Sequence, residues 1–259
     1  MEFVKHEVDN SNHVVFTEYF AGLGNRILAH NSMVQYCSGH GADYYCQGFE
    51  GAEYFENIQR ITRPPTVLFP RTLGEGFFRL HSVSTRSIFS LSPRPICRLD
   101  EDLFNVAIHI RAWSSSDDDW QRLPLEYYWG AVEHVENNIS EEKKYMIFVD
   151  KTDPTLSCYN ELLNKMEDSN LNVELGTPDH TMNQADYGNS YIDDFHKMCN
   201  CDCIISSTST FAICAGFIGK HKKIIHEKNW VESRASADDL FWKDLHDGGN
   251  EDYKLWTLA

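Results

Sequence analysis

The feature that most constrains the fold is an alternation of short apolar runs with helical patterns between residues 105 and 225. The apolar runs are predicted to be strands, at residues 105–110, 145–149, 172–174, 202–206 and 223–225. Helical patterns lie between them, at residues 124–137, 155–166, 191–198 and 210–219. This order is typical of a parallel, doubly wound sheet with right-handed crossovers, in which ligands bind at the carboxyl ends of the strands. The sequence therefore predicts an α/β fold whose chemistry lies in the segments that follow its strands.

A smaller strand, turn and helix unit is predicted near the start of the chain. The strand covers residues 14–16, and the helix carries apolar residues from 27 to 36. Prolines then interrupt the chain, at positions 64, 65, 70, 93 and 95. We therefore expect two α/β domains, at residues 1–100 and 101–235, followed by a helical tail at 236–259.

The charge of the chain argues against a nucleic-acid partner. Lys and Arg total 23 against 39 Asp and Glu, a formal net charge of −16, so the surface repels phosphate backbones. No segment approaches the roughly 18 apolar residues of a membrane span, and the first residues lack the apolar core of a signal peptide. We expect a cytoplasmic protein without a membrane span.

The eight cysteines are expected to be free thiols, since the chain is large enough to fold without disulfides. Cys199, Cys201 and Cys203 would share one face of an extended segment, but no second Cys or His pair has the spacing of a zinc site. No metal site is predicted there.

The first segment that could form a binding site is a glycine turn at residues 20–26, Phe-Ala-Gly-Leu-Gly-Asn-Arg. Gly22 and Gly24 are expected to let the backbone turn sharply and expose amides at the start of a helix, where anions bind. The alternative is a plain strand-to-helix turn in which Asn25 caps the helix.

The second segment covers residues 106–113, and period-two alternation along its strand puts His109 and Arg111 on one face. Arg111 offers a forked donor to a diphosphate, and His109 offers a second hydrogen bond. Fixed donors of this kind stabilise the negative charge that grows on a diphosphate leaving group. The alternative is an amphipathic strand with a solvated polar face.

The third segment, residues 203–211, runs from a buried strand through Ser and Thr residues into an apolar helix. Ser209 and Thr210, with the amides of the first helical turn, would form an anion site that the helix dipole favours. The alternative is simple capping of that helix by Ser or Thr.

Together the three segments resemble the α1,2-fucosyltransferase family and its relatives, the protein O-fucosyltransferases. Those chains carry Gly-x-Gly-Asn, then His-x-Arg, then Ser-Ser/Thr-Phe, in the order and with the spacing found here. The resemblance implies a GT-B-like α/β fold of two facing Rossmann-type domains with parallel sheets. It also implies that domain 1–100 binds the acceptor and that domain 101–235 binds the nucleotide sugar. The donor-binding residues that it implies are Gly22, Gly24, Asn25, His109, Arg111, Asp150, Ser209, Thr210 and Phe211.

The activity implied is inverting, metal-independent transfer of a sugar from a nucleotide-sugar donor to a hydroxyl of an oligosaccharide or glycoprotein glycan. No cofactor is implied besides the donor itself. The family continues His-x-Arg with a second arginine, but Ala112 follows Arg111 in this chain. GDP-fucose is therefore the leading donor, and a UDP-sugar such as UDP-xylose stays open.

Arg111 is the expected catalytic cation, and two carboxylates are candidates for the general base that deprotonates the acceptor. Glu18 precedes the glycine turn, and Glu75 lies between two glycines. The acidic run at residues 117–119 is interpreted as a solvated loop rather than an Asp-x-Asp metal site.

Two other classes of function were weighed. A non-catalytic glycan-binding protein would keep the fold without turnover, but it has no physical need for Asn25, His109 and Arg111 together. An oxidoreductase or methyltransferase with a Rossmann fold fits badly, because no third glycine completes the dinucleotide fingerprint after Gly24. Tyr127 and Tyr128 are either sugar-stacking residues or core aromatics.

Overall fold

The computed structural model describes residues 2–3, 14–16, 22–46, 48–49, 51–52, 55, 58, 67–68, 99–111, 123–149, 157–176, 190–219, 223–227 and 253–256. The chain divides into two compact units. Unit 1 comprises residues 1–93 and 234–244, and unit 2 comprises residues 94–233 and 245–259. Each unit has its own parallel sheet.

Unit 1 contains a four-stranded sheet in the order β1-β4-β2-β3. The strands are β1 (Glu2–Phe3), β2 (Val14–Phe16), β3 (Asp43–Tyr45) and β4 (Val67–Leu68). Helix α1 (Leu23–His40) connects β2 to β3 and ends at Gly41, whose φ of 64° is a left-handed conformation that suits glycine. The Gly41 amide donates to the carbonyl of Cys37 and so closes the last turn.

Unit 2 contains a six-stranded parallel sheet in the order β10-β9-β8-β5-β6-β7. Its strands are β5 (Phe104–Ile110), β6 (Lys143–Val149), β7 (Val173–Leu175), β8 (Cys203–Ile205), β9 (Lys223–Glu227) and β10 (Tyr253–Trp256). Helices connect the first five strands, namely α2 (Leu125–Asn138), α3 (Ser157–Asp168), α4 (Ser190–Asn200) and α5 (Thr210–Ile218). The central strand β5 is buried along its whole length, as expected of a parallel strand covered on both faces.

The two faces of this sheet are covered by different helices. Helices α2 and α3 pack against one face, where Ile108, Ile147 and Ile225 form a core with Tyr127 and other residues of α2. Helix α5 lies against the opposite face, because a Cβ added at Gly216 would meet Ile224 and Ile204 at 3.6 and 3.7 Å.

The strand order reverses direction at β5. From β5 the chain proceeds outward through β6 and β7, and then returns to the other side of β5 to place β8 and β9. In an open parallel sheet the point of reversal leaves a crevice at the carboxyl ends of the two strands, since the following connections diverge. A ligand site is therefore expected at the segments after β5 and β8.

The predicted strands and helices of unit 2 are confirmed within two residues at each end, and the strand at Val14–Phe16 and the helix after it are confirmed in unit 1. Strands β1, β3, β4 and β10 were not predicted. The prediction of a helical tail is wrong for Tyr253–Trp256, which pair with β9 as a parallel strand because the edge of β9 offers its backbone groups. The other residues of that tail lie outside the described part of the chain.

The shared face predicted for Cys199, Cys201 and Cys203 is also wrong, because Cys199 lies in helix α4 and Cys203 lies in strand β8. Within the described residues, none of the helices has the length and apolar character needed to cross a membrane.

Candidate functional site

His109 is the second-last residue of β5 and lies almost completely inside unit 2, with 1% of its surface exposed. Its Nδ1 atom is 2.7 Å from Oγ of Ser207, a residue just beyond β8. Burial, with a smaller contribution from Arg111, lowers the pKa of His109 to about 3, so the imidazole is neutral. The alternative of a solvated polar face is wrong for this residue, because helix α5 covers that face of the strand.

Arg111 is the first residue after β5 and is half-buried. Its Nη1 atom donates to the carbonyl oxygen of Thr208 at 3.2 Å. Arg111 and His109 thus reach the same short segment after β8, as their shared face on the strand predicts. A guanidinium carries five N–H donors in a planar fork, a geometry that matches the oxygens of a phosphate.

The segment that follows β8 is a buried run of polar residues, Ser206 to Ser209. The Ser206 amide donates to the carbonyl of Ile225 at 2.8 Å, and its Oγ donates to the carbonyl of Ser207 at 2.9 Å. Tyr127 of helix α2 donates through its hydroxyl to the carbonyl of Ser206 at 2.8 Å. Buried polar groups are costly unless hydrogen-bonded, so these contacts hold the segment in one conformation.

Helix α5 begins directly after this segment, with Ser209 at its N-cap position. The backbone of Ser209 is extended there, and its carbonyl accepts the first helical bond from Ile213, but its side chain makes no capping hydrogen bond. The alternative, in which the Ser209 side chain caps the helix, is therefore wrong. The amino end of α5 instead presents its partial positive charge beside Arg111, whose guanidinium reaches Thr208.

Phe211, in the first turn of α5, is half-buried and packs between two aromatic rings. Its ring centroid is 5.8 Å from that of His109 and 5.1 Å from that of Phe195 in helix α4. The predicted residues His109, Arg111, Ser209, Thr210 and Phe211 are thus brought together at the carboxyl ends of β5 and β8, where the strand order reverses.

The glycine turn of unit 1 differs in detail from the expectation. Gly22 is the N-cap of α1, with φ of −73° and ψ of 172°, an extended conformation open to any residue, and an added Cβ would meet nothing within 4 Å. Asn25 lies inside the helix, two residues past its first residue Leu23, so the alternative that Asn25 caps the helix is wrong. The donor-binding roles of Gly22, Gly24 and Asn25 stay predictions.

Other predicted residues lie outside the described part of the chain. They are the two candidate bases, Glu18 and Glu75, the donor-binding candidate Asp150, and the acidic run at residues 117–119. In the described segments, no group of three or more His, Cys, Asp or Glu side chains is arranged to hold a metal ion.

Ser206 and Ser207 belong to the site but were not predicted as site residues, and Tyr127 contacts the site through its hydroxyl rather than through the predicted stacking on a sugar. Tyr127 and Tyr128 are completely buried and pack edge to face at 5.1 Å, which identifies them as core aromatics rather than exposed stacking surfaces. The sequence signal for the two serines was an uninterrupted polar run directly after a short apolar strand. No sequence signal pointed to the Tyr127 hydroxyl, because its partner is 79 residues away.

Comparison with known proteins identifies solved structures of similar architecture. A crystal structure of NodZ α-1,6-fucosyltransferase soaked with GDP-fucose matches 82% of this chain and 94% of its own, with a TM-score of 0.52 and 13% identity. The same enzyme co-crystallised with GDP matches 84% of this chain and 95% of its own, with a TM-score of 0.52 and 13% identity. The selenomethionine form of fucosyltransferase NodZ from Bradyrhizobium matches 82% and 93%, with a TM-score of 0.52 and 15% identity.

No sequence model of a protein family matches the chain, and no curated protein sequence matches it. At such low identity the likeness to the solved structures concerns the fold alone. The predicted α/β class with parallel sheets is confirmed, and the chain has the GT-B-like fold of these fucosyltransferase structures.

Proposed function

We propose that this chain is a glycosyltransferase that binds a nucleoside diphosphate sugar at the carboxyl ends of β5 and β8. The observation that carries the proposal is that Arg111 lies against the buried polar segment Ser206 to Ser209, where its guanidinium donates to the carbonyl of Thr208. This point of the sheet is where parallel α/β folds bind ligands, and its cation and helix terminus both favour a phosphate.

The chemistry of the site suits the departure of a diphosphate. When the bond from the sugar to the diphosphate breaks, negative charge grows on the β-phosphate. Arg111 offers a fixed planar fork to that charge, and the amino end of α5 adds its amides and dipole. Donors that are already fixed in place need no reorganisation during the reaction, so they stabilise the transition state efficiently. Arg111 is therefore the residue that we assign to leaving-group stabilisation.

His109 has a different role from the direct phosphate contact suggested by the sequence. A buried, neutral imidazole carries no charge to a phosphate, and its Nδ1 is already paired with Ser207. We assign it the task of fixing the Ser207 hydroxyl, while its ring supports Phe211 at 5.8 Å. Thr210 and Phe211, both half-buried at the start of α5, would line the edge of the phosphate and sugar pocket.

The donor that we propose first is GDP-fucose. The support is the motif resemblance together with the fold, which this chain shares with a fucosyltransferase whose structures were determined with GDP-fucose and with GDP. Ala112, in place of the second arginine of the family, favours testing UDP-sugars such as UDP-xylose as the alternative donor. The acceptor proposed is a hydroxyl of an oligosaccharide or glycoprotein glycan, with inversion, and with Glu18 or Glu75 as the base.

Titration calorimetry tests this proposal directly. GDP-fucose, GDP, UDP-xylose and UDP are titrated into the wild type, into Arg111→Ala and into Lys144→Ala, once with EDTA and once with a magnesium salt in its place. Lys144→Ala is a suitable control because this substitution also removes one positive charge from unit 2. Lys144 lies near the amino end of β6, where it pairs with Glu174 at 3.0 Å. Binding that Arg111→Ala abolishes and Lys144→Ala preserves is the expected result.

The pattern of binding decides between the alternatives. Tighter binding of the UDP compounds would keep the mechanism and replace the donor. Binding that requires a divalent cation would contradict the metal-independent scheme. If no nucleotide binds the wild type, the glycosyltransferase proposal is wrong.

A further inference from the structure

Tyr127 makes a buried contact that the proposed reaction does not itself explain. It lies near the start of helix α2, its side chain is completely buried, and its hydroxyl donates to the carbonyl of Ser206 at 2.8 Å. The same oxygen is 3.5 Å from the carbonyl of Ile225 in the neighbouring strand β9. The hydroxyl therefore sits where β8 ends and the polar segment of the site begins.

The hydroxyl acts as a donor under all ordinary conditions. Burial raises the pKa of Tyr127 well above its usual value, with smaller contributions from Tyr128, Glu227 and Cys203, so the phenol keeps its proton. A carbonyl oxygen that loses such a donor inside a protein is left without full hydrogen bonding, which is costly. The Ser206 carbonyl is thus the group that would lose a donor without the Tyr127 hydroxyl.

The contact belongs to a series along the polar segment. Ser206 is bound by Tyr127, Ser207 by His109 and Thr208 by Arg111, so three consecutive residues are each bound by a different side chain. Tyr127 approaches from the face of the sheet covered by α2, whereas His109 faces α5. The segment is therefore held from both faces of the sheet just before helix α5 begins.

We propose that Tyr127 is a positioning residue for the donor site, fixing the segment Ser206 to Ser209 and with it the amino end of α5. The effect on donor binding rests on the proposed function, whereas the effect on the conformation of the segment does not. Without the hydroxyl, the segment would sample other conformations, and the amides and Arg111 would meet a phosphate in the right geometry less often. The loss of one buried oxygen atom would then weaken donor binding.

The test compares Tyr127→Phe with Tyr145→Phe. Tyr145 is a matched control, because its ring is buried in the same core and its hydroxyl also makes a hydrogen bond, to Glu136 at 2.6 Å. That bond lies away from the polar segment, near the amino end of β6. Both variants lose one buried phenolic hydroxyl, so a general loss of stability affects both.

Two measurements are made on each variant, well below its unfolding temperature. Hydrogen exchange by mass spectrometry reports on peptides that cover residues 203–213, and calorimetry gives the dissociation constant for GDP. We expect faster exchange in these peptides for Tyr127→Phe alone, with GDP binding weakened about fivefold, the size of one neutral hydrogen bond. Where turnover is measurable, kcat/KM for the donor should fall by at least the same factor, with part of the loss in kcat, because the amino end of α5 and Arg111 also stabilise the charge that grows on the departing diphosphate.

Equal exchange of residues 203–213 in Tyr127→Phe, Tyr145→Phe and the wild type would overturn the positioning role. If the wild type binds GDP and Tyr127→Phe binds it with the same affinity, the proposed effect of Tyr127 on donor binding is wrong. If the wild type binds no nucleotide, the proposed function fails, and the exchange measurement still decides whether Tyr127 fixes the segment.

Discussion

The guanidinium of Arg111 donates to the carbonyl of Thr208 at 3.2 Å, and so joins the residue after β5 to the segment after β8. These residues are 97 positions apart in the chain, yet they follow neighbouring strands of a parallel sheet. The contact ties the guanidinium to the backbone of that segment. An anion at this edge of the sheet would therefore meet a cation held beside the segment after β8.

Arg111→Lys tests whether the fork, rather than the charge alone, matters. A lysine ammonium is a point charge on a flexible stem, and it cannot hold the Thr208 carbonyl and a diphosphate with the same planar geometry. We expect GDP to bind about tenfold more weakly than to the wild type, with a loss intermediate between the wild type and Arg111→Ala. The measurement is calorimetric titration. Lys144→Arg, an equally conservative exchange near the amino end of β6, should bind GDP as the wild type does.

The buried His109 makes the stability of unit 2 depend on pH. The unfolded chain takes up a proton at this residue near pH 6.5, whereas the folded chain takes it up only near pH 3. Between these values the unfolded state binds more protons, so the free energy of unfolding falls as the pH falls through this window and levels off below about 3. We expect a loss on the order of 2 kcal/mol between pH 6.5 and 4.5 from this residue.

Urea unfolding of the wild type and of His109→Asn at pH 7 and pH 4.5 measures this effect. The quantity compared is the change in unfolding free energy between the two pH values, so a destabilised variant still reports it. His109→Asn should show the smaller change. His30 of unit 1, whose pKa burial lowers to about 4, contributes a separate loss that His30→Asn removes. Identical changes in the wild type and in both variants would contradict the buried neutral state of these residues.

Six cysteines of the described segments offer a third test, since they are free, as the sequence predicts, and are also buried. Burial raises the pKa of Cys37 and of Cys203 to about 12, and raises that of Cys214 further. Only the thiolate reacts with alkylating reagents, so these thiols should be unreactive at pH 8 in the folded protein. Mass spectrometry after iodoacetamide treatment should find them unmodified, and fully modified once guanidinium unfolds the chain. Rapid labelling of Cys203 in the folded protein would show that β8 is accessible.

The sequence predicted the elements that carry their own periodicity and missed those that depend on a partner. Strand β5 was evident because its apolar residues match a strand buried on both faces. Strand β10 has only four residues, and its pairing with β9 depends on a free sheet edge that no local pattern reveals. Likewise, alternation placed His109 and Arg111 on one face, but it could not show that helix α5 covers His109 and leaves it neutral.

The last prediction concerns two glycines of unit 2 that differ in the space available for a side chain. Gly176 follows β7, where its amide donates to the carbonyl of Ile147 and its carbonyl accepts from Lys197 of helix α4. A Cβ added there would lie 2.3 Å from the ring of the buried Phe148, so the ring or the backbone must move. At Gly216 of helix α5, an added Cβ would instead lie 3.6 Å from Ile224, an ordinary contact.

Gly176→Ala should therefore lower the free energy of unfolding by about 1–3 kcal/mol, the usual cost of overfilling a packed core. Gly216→Ala should raise it by roughly 0.5–1 kcal/mol, because alanine is the better helix former and the space is available. Urea unfolding of the two variants measures both effects, and Gly176→Ala with Phe148→Leu should recover part of the loss. If Gly176→Ala were as stable as the wild type, the close packing of Phe148 on the end of β7 would be wrong.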